Sequence, residues 1–249
     1  METSNEIPKS RLPAIVKGGF IFSVIGGLAV ILAGYGYQWG WWHFSTGFRT
    51  LIPYGTGLAI LGGLTAFVAY LRMQSRARIS ALPAFMGLTI ALCAIANAAF
   101  WHIETQMGYP PIHDISTDTE NPPPFDAIVP LREGAPNPAE YAGEETAEKQ
   151  AEFYPDIQTY YISSPYSEAF DLALETAESM PWQIVDSDKN EGRIEAFHKI
   201  PWFGFIDDVV IRVDTTDAGS KIDVRSKSRI GRGDLGVNAK RIRKYLDKL

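Results

Sequence analysis

Three long apolar runs, Gly18 to Phe48, Thr50 to Leu71 and Ile79 to Trp101, fill the first two-fifths of the chain. None contains Lys, Arg, Asp or Glu. About twenty apolar residues suffice to cross the hydrocarbon core as a helix, so each run predicts a transmembrane helix. Beyond them the pattern changes. From Gly108 to Pro165 lie ten of the sixteen prolines, including Pro110-Pro111 and Pro122-Pro123-Pro124, which predicts an extended or irregular stretch. Within it Ala139 to Phe153 reads as a short acidic helix.

The last third alternates between two periods. Ser164-Pro165 opens a helix, with Ser as cap and Pro at its first position. Tyr166, Ala169, Phe170, Ala173, Leu174 and Ala177 form one apolar face at helical spacing, and Met180-Pro181 ends it. Strands are predicted at Trp182–Val185, Arg193–Lys199, Phe205–Val213 and Ile222–Ile230, with a turn-rich loop over Asp214–Ser220. Leu235, Ala239, Ile242, Leu246 and Leu249 mark a final helix. The fold class read from this order is a three-helix transmembrane anchor plus a two-layer α+β soluble domain, built as helix, four-stranded antiparallel meander, helix. The domain plan is an anchor over 1–104, a Pro-rich acidic linker packing on the domain over 105–163, and the α+β domain over 164–249.

Charge divides the chain in the same place. Residues 1–101 carry seven Lys and Arg against two acids, and residues 102–249 carry sixteen against twenty-seven. Lys9, Arg11 and Lys17 precede the first span, and Arg72, Arg76 and Arg78 lie between the second and third. By the positive-inside rule the N-terminus is cytoplasmic and the C-terminal domain lies outside, in the periplasm of an inner-membrane protein. Nucleic acid is not an expected partner there. The uncharged first run is too long for a cleaved signal peptide and reads as a retained helix. Tyr35, Tyr37, Trp39, Trp41, Trp42, Phe100 and Trp101 read as interfacial anchors.

Within the spans, Gly19, Ser23 and Gly27, Ala59 with Gly63, and Ala94 with Ala98 recur every fourth residue. Such faces predict close helix packing, in a compact bundle or a homo-oligomer. No ionisable residue lies deep in a span, which disfavours an ion or proton pathway. Asn97 is expected to make an interhelical hydrogen bond. Cys93 is the only cysteine, so no intramolecular disulfide or cysteine metal site exists. It reads as a small packing residue.

Candidate chemistry is sparse. His113, Asp114 and Asp118 are metal-ligand types within six residues, and a polar turn explains them better, so no metal or cofactor is assigned. In the third strand Asp207 falls on the apolar side and Asp208 on the other. A symmetrical hairpin sets Asp207 near Ser226 and Ser228, and Asp208 near Lys227. Asp223, Arg225, Lys227 and Arg229 then face away from the core. Gly231-Arg232-Gly233-Asp234-Leu235-Gly236 matches G-x-G-x-x-G, but no second parallel strand follows to complete a dinucleotide fold. A weaker reading survives: a glycine turn at a helix start that offers N–H groups to anions. Residues 221–249 carry ten basic residues against three acids. Arg225, Arg229, Arg232 and Arg241, with Gly231, Gly233 and Gly236 shaping the turn, are the anion-binding candidates. Internal pairing with Asp208 and the acidic helix is an equal alternative. Asp207, Ser226, Ser228 and Asn238 are the expected organisers.

Phe205-x-Asp207-Asp208-Val209 and Arg225-Ser226-x-Ser228-Arg229-x-Gly231-x-x-Asp234-Leu235-Gly236-x-Asn238-x-x-Arg241 closely resemble the bacterial and plastid domain of unknown function 1499. The resemblance covers roughly residues 108–249. It implies a domain without established activity. Members often carry a Cys-x-Ser-Ser element near the domain start; here Pro111-Ile112-His113-Asp114 stands there, so no thiol role applies. The leading expectation is a non-enzymatic membrane protein whose domain binds a partner protein or an anionic envelope ligand, with membrane lipid around its anchor. One alternative is a membrane-anchored hydrolase using Asp207 or Asp208 with His113, which requires His113 to reach Asp207. Another is a structural subunit of a larger membrane complex.

Overall fold

The computed structural model describes residues 12–75 and 79–249. Four residues used for the orientation, Lys9, Arg11, Arg76 and Arg78, lie outside the described residues. The chain forms two compact units, Met1–Glu104 with Trp202–Gly204, and Thr105–Pro201 with Phe205–Leu249.

The first unit contains α1 (Ala14–Gln38), α2 (Phe44–Met73) and most of α3 (Leu82–Gln106), each long and apolar enough to cross a membrane. The start of α2 widens into a π-helical turn at Gly47–Leu51, just before Pro53, whose ring and missing N–H disfavour a regular preceding turn. Along the α1–α2 seam the backbones touch. A Cβ on Gly19 would sit 2.7 Å from the Ala66 nitrogen, and one on Gly26 would sit 2.4 Å from the Ala59 nitrogen. The third helix joins where Ser23 Oγ donates to the Gly87 carbonyl at 2.8 Å. A Cβ on Gly63 would lie 2.4 Å from that same oxygen. Gly19, Ser23 and Gly26 thus meet small residues of the neighbouring helices, while Gly27, expected on the same face, instead stands against the Ile90 side chain. Two expectations are corrected. The Asn97 Oδ1 atom is buried without a hydrogen-bond partner, and Ser23 supplies the interhelical bond instead. Cys93 is exposed on the helix surface and packs nothing inside.

The second unit holds β1 (Asp114–Ser116), α4 (Glu144–Phe153), β2 (Tyr160–Ile162), α5 (Tyr166–Glu178), β3 (Gln183–Asp188), β4 (Arg193–Lys199), β5 (Ile206–Thr216), β6 (Gly219–Ser228) and α6 (Val237–Leu246). The antiparallel sheet runs β1-β6-β5-β4-β3, with β2 also pairing β6. The meander is the expected one, and Asp208 pairs with Lys227 across it. The β5–β6 hairpin is longer and tighter than expected: Thr216 pairs with Gly219, so the turn is Asp217-Ala218 alone.

One face of this sheet carries the apolar core. Ala169, Phe170, Ala173 and Ala177 of α5 and Ala239, Ile242 and Tyr245 of α6 pack on Val209, Ile211, Val213, Ile222 and Val224. Each large aliphatic side chain buried this way contributes ~1.5–3 kcal/mol. Trp182 stacks on Tyr245 with ring centres 5.5 Å apart, and the Tyr245 hydroxyl donates to the Ala173 carbonyl. The Ser164 cap is corrected: Pro165 occupies the cap position of α5 without a side-chain bond, and the Ser164 carbonyl accepts from Ser220 Oγ.

The supposed linker is part of the sheet. Its first strand lies on the upper half of β6 and its second on the lower half. The open edge of β1 is closed by a side chain. Gln150 on α4 accepts from the Ser116 N–H at 2.9 Å and donates to the Ser116 carbonyl at 2.6 Å, imitating a neighbouring strand. An unpaired edge invites pairing with another chain, and a side-chain amide here removes that template.

Substitutions at glycines test the bundle. Gly26→Leu should lower the stability of the detergent-solubilised protein by about 1–3 kcal/mol through overpacking. Gly18→Leu, where an added Cβ meets nothing within 4 Å, should leave the melting temperature near that of the parent. Equal effects of the two would refute the close α1–α2 seam.

Candidate functional site

The face of the sheet turned away from the helices is charged and still buried. Asp114, Glu195, Asp208 and Asp223 are fully buried there, and Arg225 and Lys227 are each 1% exposed. The Pro-rich segment covers them. Phe125 and Ile128 pack on Val210, and Glu195 accepts from the N–H groups of Asp126, Ala127 and Ile128. An isolated buried charge is strongly unfavourable, so each finds partners. Arg225 donates through Nε and Nη2 to the two oxygens of Asp114 at 2.8 and 2.9 Å. Lys227 Nζ lies 3.0 Å from Asp114 and donates to the Glu140 carbonyl. Asp208 is held by Arg229 at 2.7 and 2.9 Å, and Arg132 shares its Oδ2 atom with the Arg229 Nε. The Phe125 ring lies under the guanidinium groups of Arg132 and Arg225. Burial pulls the Lys227 ammonium below its ordinary value, opposed by Asp114 and assisted by Arg225 and Arg132. Burial also pushes the Tyr141 hydroxyl up to about 12, with Asp114 adding to the rise.

The row of cations faces away from the apolar core as expected; of the two readings left open for it, anion binding is corrected for Arg225 and Arg229, and internal pairing with Asp208 is found. Arg225 and Arg229 are held in internal ion pairs and do not present a free face to an external anion. Their partners are Asp114 and Asp208, not the acidic helix. In that helix the one described ion pair is local, Lys149 with Glu145. Arg132, Asp114 and Phe125 complete this network. Sequence pattern could not find their roles, because they lie in an aperiodic stretch.

The helix side carries a second polar cluster. Asp207, 3% exposed, accepts from Arg241 Nη2 at 2.6 Å. Arg241 also donates to Ser226 Oγ at 3.0 Å and to the Asn238 side chain. Asn238 accepts from Ser226 Oγ at 2.7 Å, and its Nδ2 donates to Ser228 Oγ at 2.9 Å and to the His113 carbonyl at 3.2 Å. Asp207, Ser226, Ser228, Asn238 and Arg241 thus form one hydrogen-bonded cluster joining β5, β6, the β1 approach and α6. Arg241 belongs inside it, not on an anion-binding surface. The histidine beside Asp207 is His198, its cross-strand neighbour on β4. Its Nδ1 lies 3.4 Å from Arg241 Nη2 and accepts, because a guanidinium only donates. Burial first, then the Arg241 charge, holds His198 below its ordinary value, with Asp207 opposing. The structure does not join His113 to this cluster through its ring: His113 Nδ1 lies 3.3 Å from the Arg232 carbonyl. Asp207 and Asp208 occupy opposite faces, each bound to guanidinium groups, so no shared acid/base pair is assembled.

The glycine turn also departs from its anion-binding reading. The Asp234 carboxylate accepts from the N–H groups of Gly236 and Asn238, both at 2.8 Å, so the start of α6 already holds an anionic group. Burial raises the Asp234 carboxyl, against those two bonds. Gly236 takes the left-handed conformation, φ 72°, with the Tyr109 ring against it. Leu235 also has positive φ, 53°, unusual for a residue with a side chain. Gly233 is approached closely by Pro111. These glycines serve backbone packing. At the tip, Arg232 is exposed. The loop beneath it is pinned by Asn137 Nδ2, which donates to the Gly231 carbonyl at 2.9 Å, and by the His113 contact. The metal-ligand types are dispersed: Asp114 meets Arg225 and Lys227, and Asp118 meets Arg212. Among the described residues no group of three His, Cys, Asp or Glu is gathered around a metal position.

Two measurements check these networks. Arg241→Met alone should cost about 3–5 kcal/mol, because Asp207 stays buried without its partner, and adding Asp207→Asn should recover much of it. Non-recovery in the double variant, followed by chemical denaturation of the full chain, would refute the pairing. Stability should also fall as pH drops below 6.5, the ordinary histidine value. A depressed folded value means the contribution of His198 is present above that pH and is lost as pH falls through the folded value. His198→Gln should remove that part of the pH profile.

A family model described as a protein of unknown function, DUF1499, matches residues 114–249. The match starts at Asp114, the buried partner of Arg225 and Lys227, so it includes the covering segment as well as the meander. No curated protein matches the chain. With the matched region spanning more than half of the chain, and with the ion-paired sheet inside it, this protein belongs to the DUF1499 family.

Proposed function

We propose that this protein is a membrane-anchored, non-enzymatic binding module. Its family domain, displayed on the periplasmic side of an inner membrane, engages an anionic group on a partner protein or envelope ligand through Arg232. The observation that carries this reading is the contrast between Arg232 and its neighbours. Arg225, Arg229 and Arg241 are bound to Asp114, Asp208 and Asp207. Arg232 is exposed at the tip of a turn whose base is fixed by Asn137 and His113. A guanidinium held on a rigid loop binds carboxylate or phosphate with little ordering cost, since its planar fork matches both. The clusters on either side of the sheet supply the rigidity. Lys244, exposed on α6, adds positive potential to the same C-terminal segment.

Catalysis is the weaker reading. Asp207 and Asp208 are each bound to arginine and separated by the thickness of the sheet, and the His198 Nδ1 atom is turned to Arg241. The subunit reading loses its main support, because Gly19, Gly26, Gly62 and Gly63 approach helices of the same chain.

Native mass spectrometry of the full-length protein, extracted gently from its own membrane, tests the proposal. A stoichiometric protein or anionic adduct is expected, and Arg232→Ala should reduce its occupancy about tenfold, as loss of a charge-assisted contact implies. The variant should melt with the parent. The absence of any adduct that Arg232→Ala reduces, or a bare protein throughout, would sink the proposal.

A further inference from the structure

The anchor carries a groove that the family domain does not explain. It has a volume of about 460 Å³ and lies where Ile15 of α1 meets Leu64, Thr65, Val68, Ala69, Arg72 and Met73 of α2. That volume falls within the ~300–1,000 Å³ typical of small-molecule sites. The α2 residues recur at helical spacing and form one continuous strip. Ala69, buried, makes the floor, while Ile15, Leu64 and Val68 remain 54%, 48% and 43% exposed. We propose that this groove binds one anionic phospholipid, with its phosphate on Arg72 and an acyl chain lying along Val68 and Leu64.

Geometry and charge both select this occupant. From Arg72 to Leu64 the helix rises about 12 Å, at ~1.5 Å per residue. One leaflet of a ~30 Å hydrocarbon core is of similar depth. Arg72 stands in the last turn of α2, one residue before its end at Met73, and Ile15 is the second residue of α1. The groove therefore opens at one membrane boundary and runs inward along a single leaflet. Its polar group is at the headgroup end and its apolar wall at the chain end. Basic pockets between membrane helices take anionic headgroups in this way. Arginine is suited to phosphate because its planar fork donates two parallel hydrogen bonds. A second copy of the chain is the poorer fit, since the three uncharged runs bring no carboxylate to Arg72.

Full-length protein in mild detergent would be incubated with phosphatidylglycerol or phosphatidylcholine of matched chains, and retained lipid counted by native mass spectrometry. The parent should retain one phosphatidylglycerol at least about fivefold over phosphatidylcholine, the ratio that one basic residue at an anionic surface supplies. Arg72→Gln should bring the two to parity, and Val68→Trp, which fills the strip, should lower both. Arg232→Ala should change neither, which separates this site from the one on the family domain. Equal retention of the two lipids by the parent would overturn the proposal. So would phosphatidylglycerol retention untouched by Arg72→Gln, displacement of the lipid by inorganic phosphate, or a dimer that excludes it.

Discussion

The family domain depends on one constraint: the outward face of β5 and β6 is charged, and it is buried. Asp114 and Asp208 sit among Arg132, Arg225, Lys227 and Arg229, with backbone carbonyls of the Pro-rich segment accepting further bonds from Arg132, Arg225 and Lys227. Charges at this depth are tolerated only when each is paired and hydrogen-bonded. The irregular segment is the cover that makes this possible. Between β1 and α4 its prolines interrupt regular helix and ladder, which leaves carbonyls there free to turn inward toward guanidinium groups. The ion pairs also set register. A one-residue slip of β6 against β5 would move Arg225 and Arg229 to the apolar side, so the charged row helps to specify the hairpin.

On the opposite face the same alternation places Asp207, Ser226 and Ser228 among apolar neighbours, and α6 answers with Asn238 and Arg241. Those two residues, three apart on one helix, reach both central strands. The β1 approach is tied in through the His113 carbonyl. The polar cluster thereby joins four segments at the end of the apolar core. Most of its groups satisfy one another, which describes a rigid joint more than a reaction centre. In the proposed reading recognition falls to the exposed Arg232 turn, whose shape comes from Asp234 bonding back to Gly236 and Asn238. In the anchor the corresponding constraint is steric: glycine at the α1–α2 seam lets the backbones touch. Association there rests on packing, because lipid offers no hydrophobic drive between helices.

The sequence by itself determined the three spanning helices, the antiparallel meander, both flanking helices and the opposite facing of Asp207 and Asp208. Each of these follows from a period that repeats along the chain, 3.6 for a helix and 2 for a strand. The juxtaposition of Asp208 with Lys227 was legible too, because a tight hairpin fixes cross-strand neighbours. Tertiary structure alone decided what covers the charged face, that Asp114 belongs to Arg225 and not to a metal, that His198 rather than His113 stands beside Asp207, and that Gln150 closes the sheet edge. Arg225 and Arg232 look equivalent in sequence, yet one is buried and paired and the other is exposed. The physical reason is that the partners come from an aperiodic segment about 90 to 110 residues away. No local pattern encodes which carbonyl or carboxylate such a segment brings to a charge; only the need to neutralise that charge on burial does.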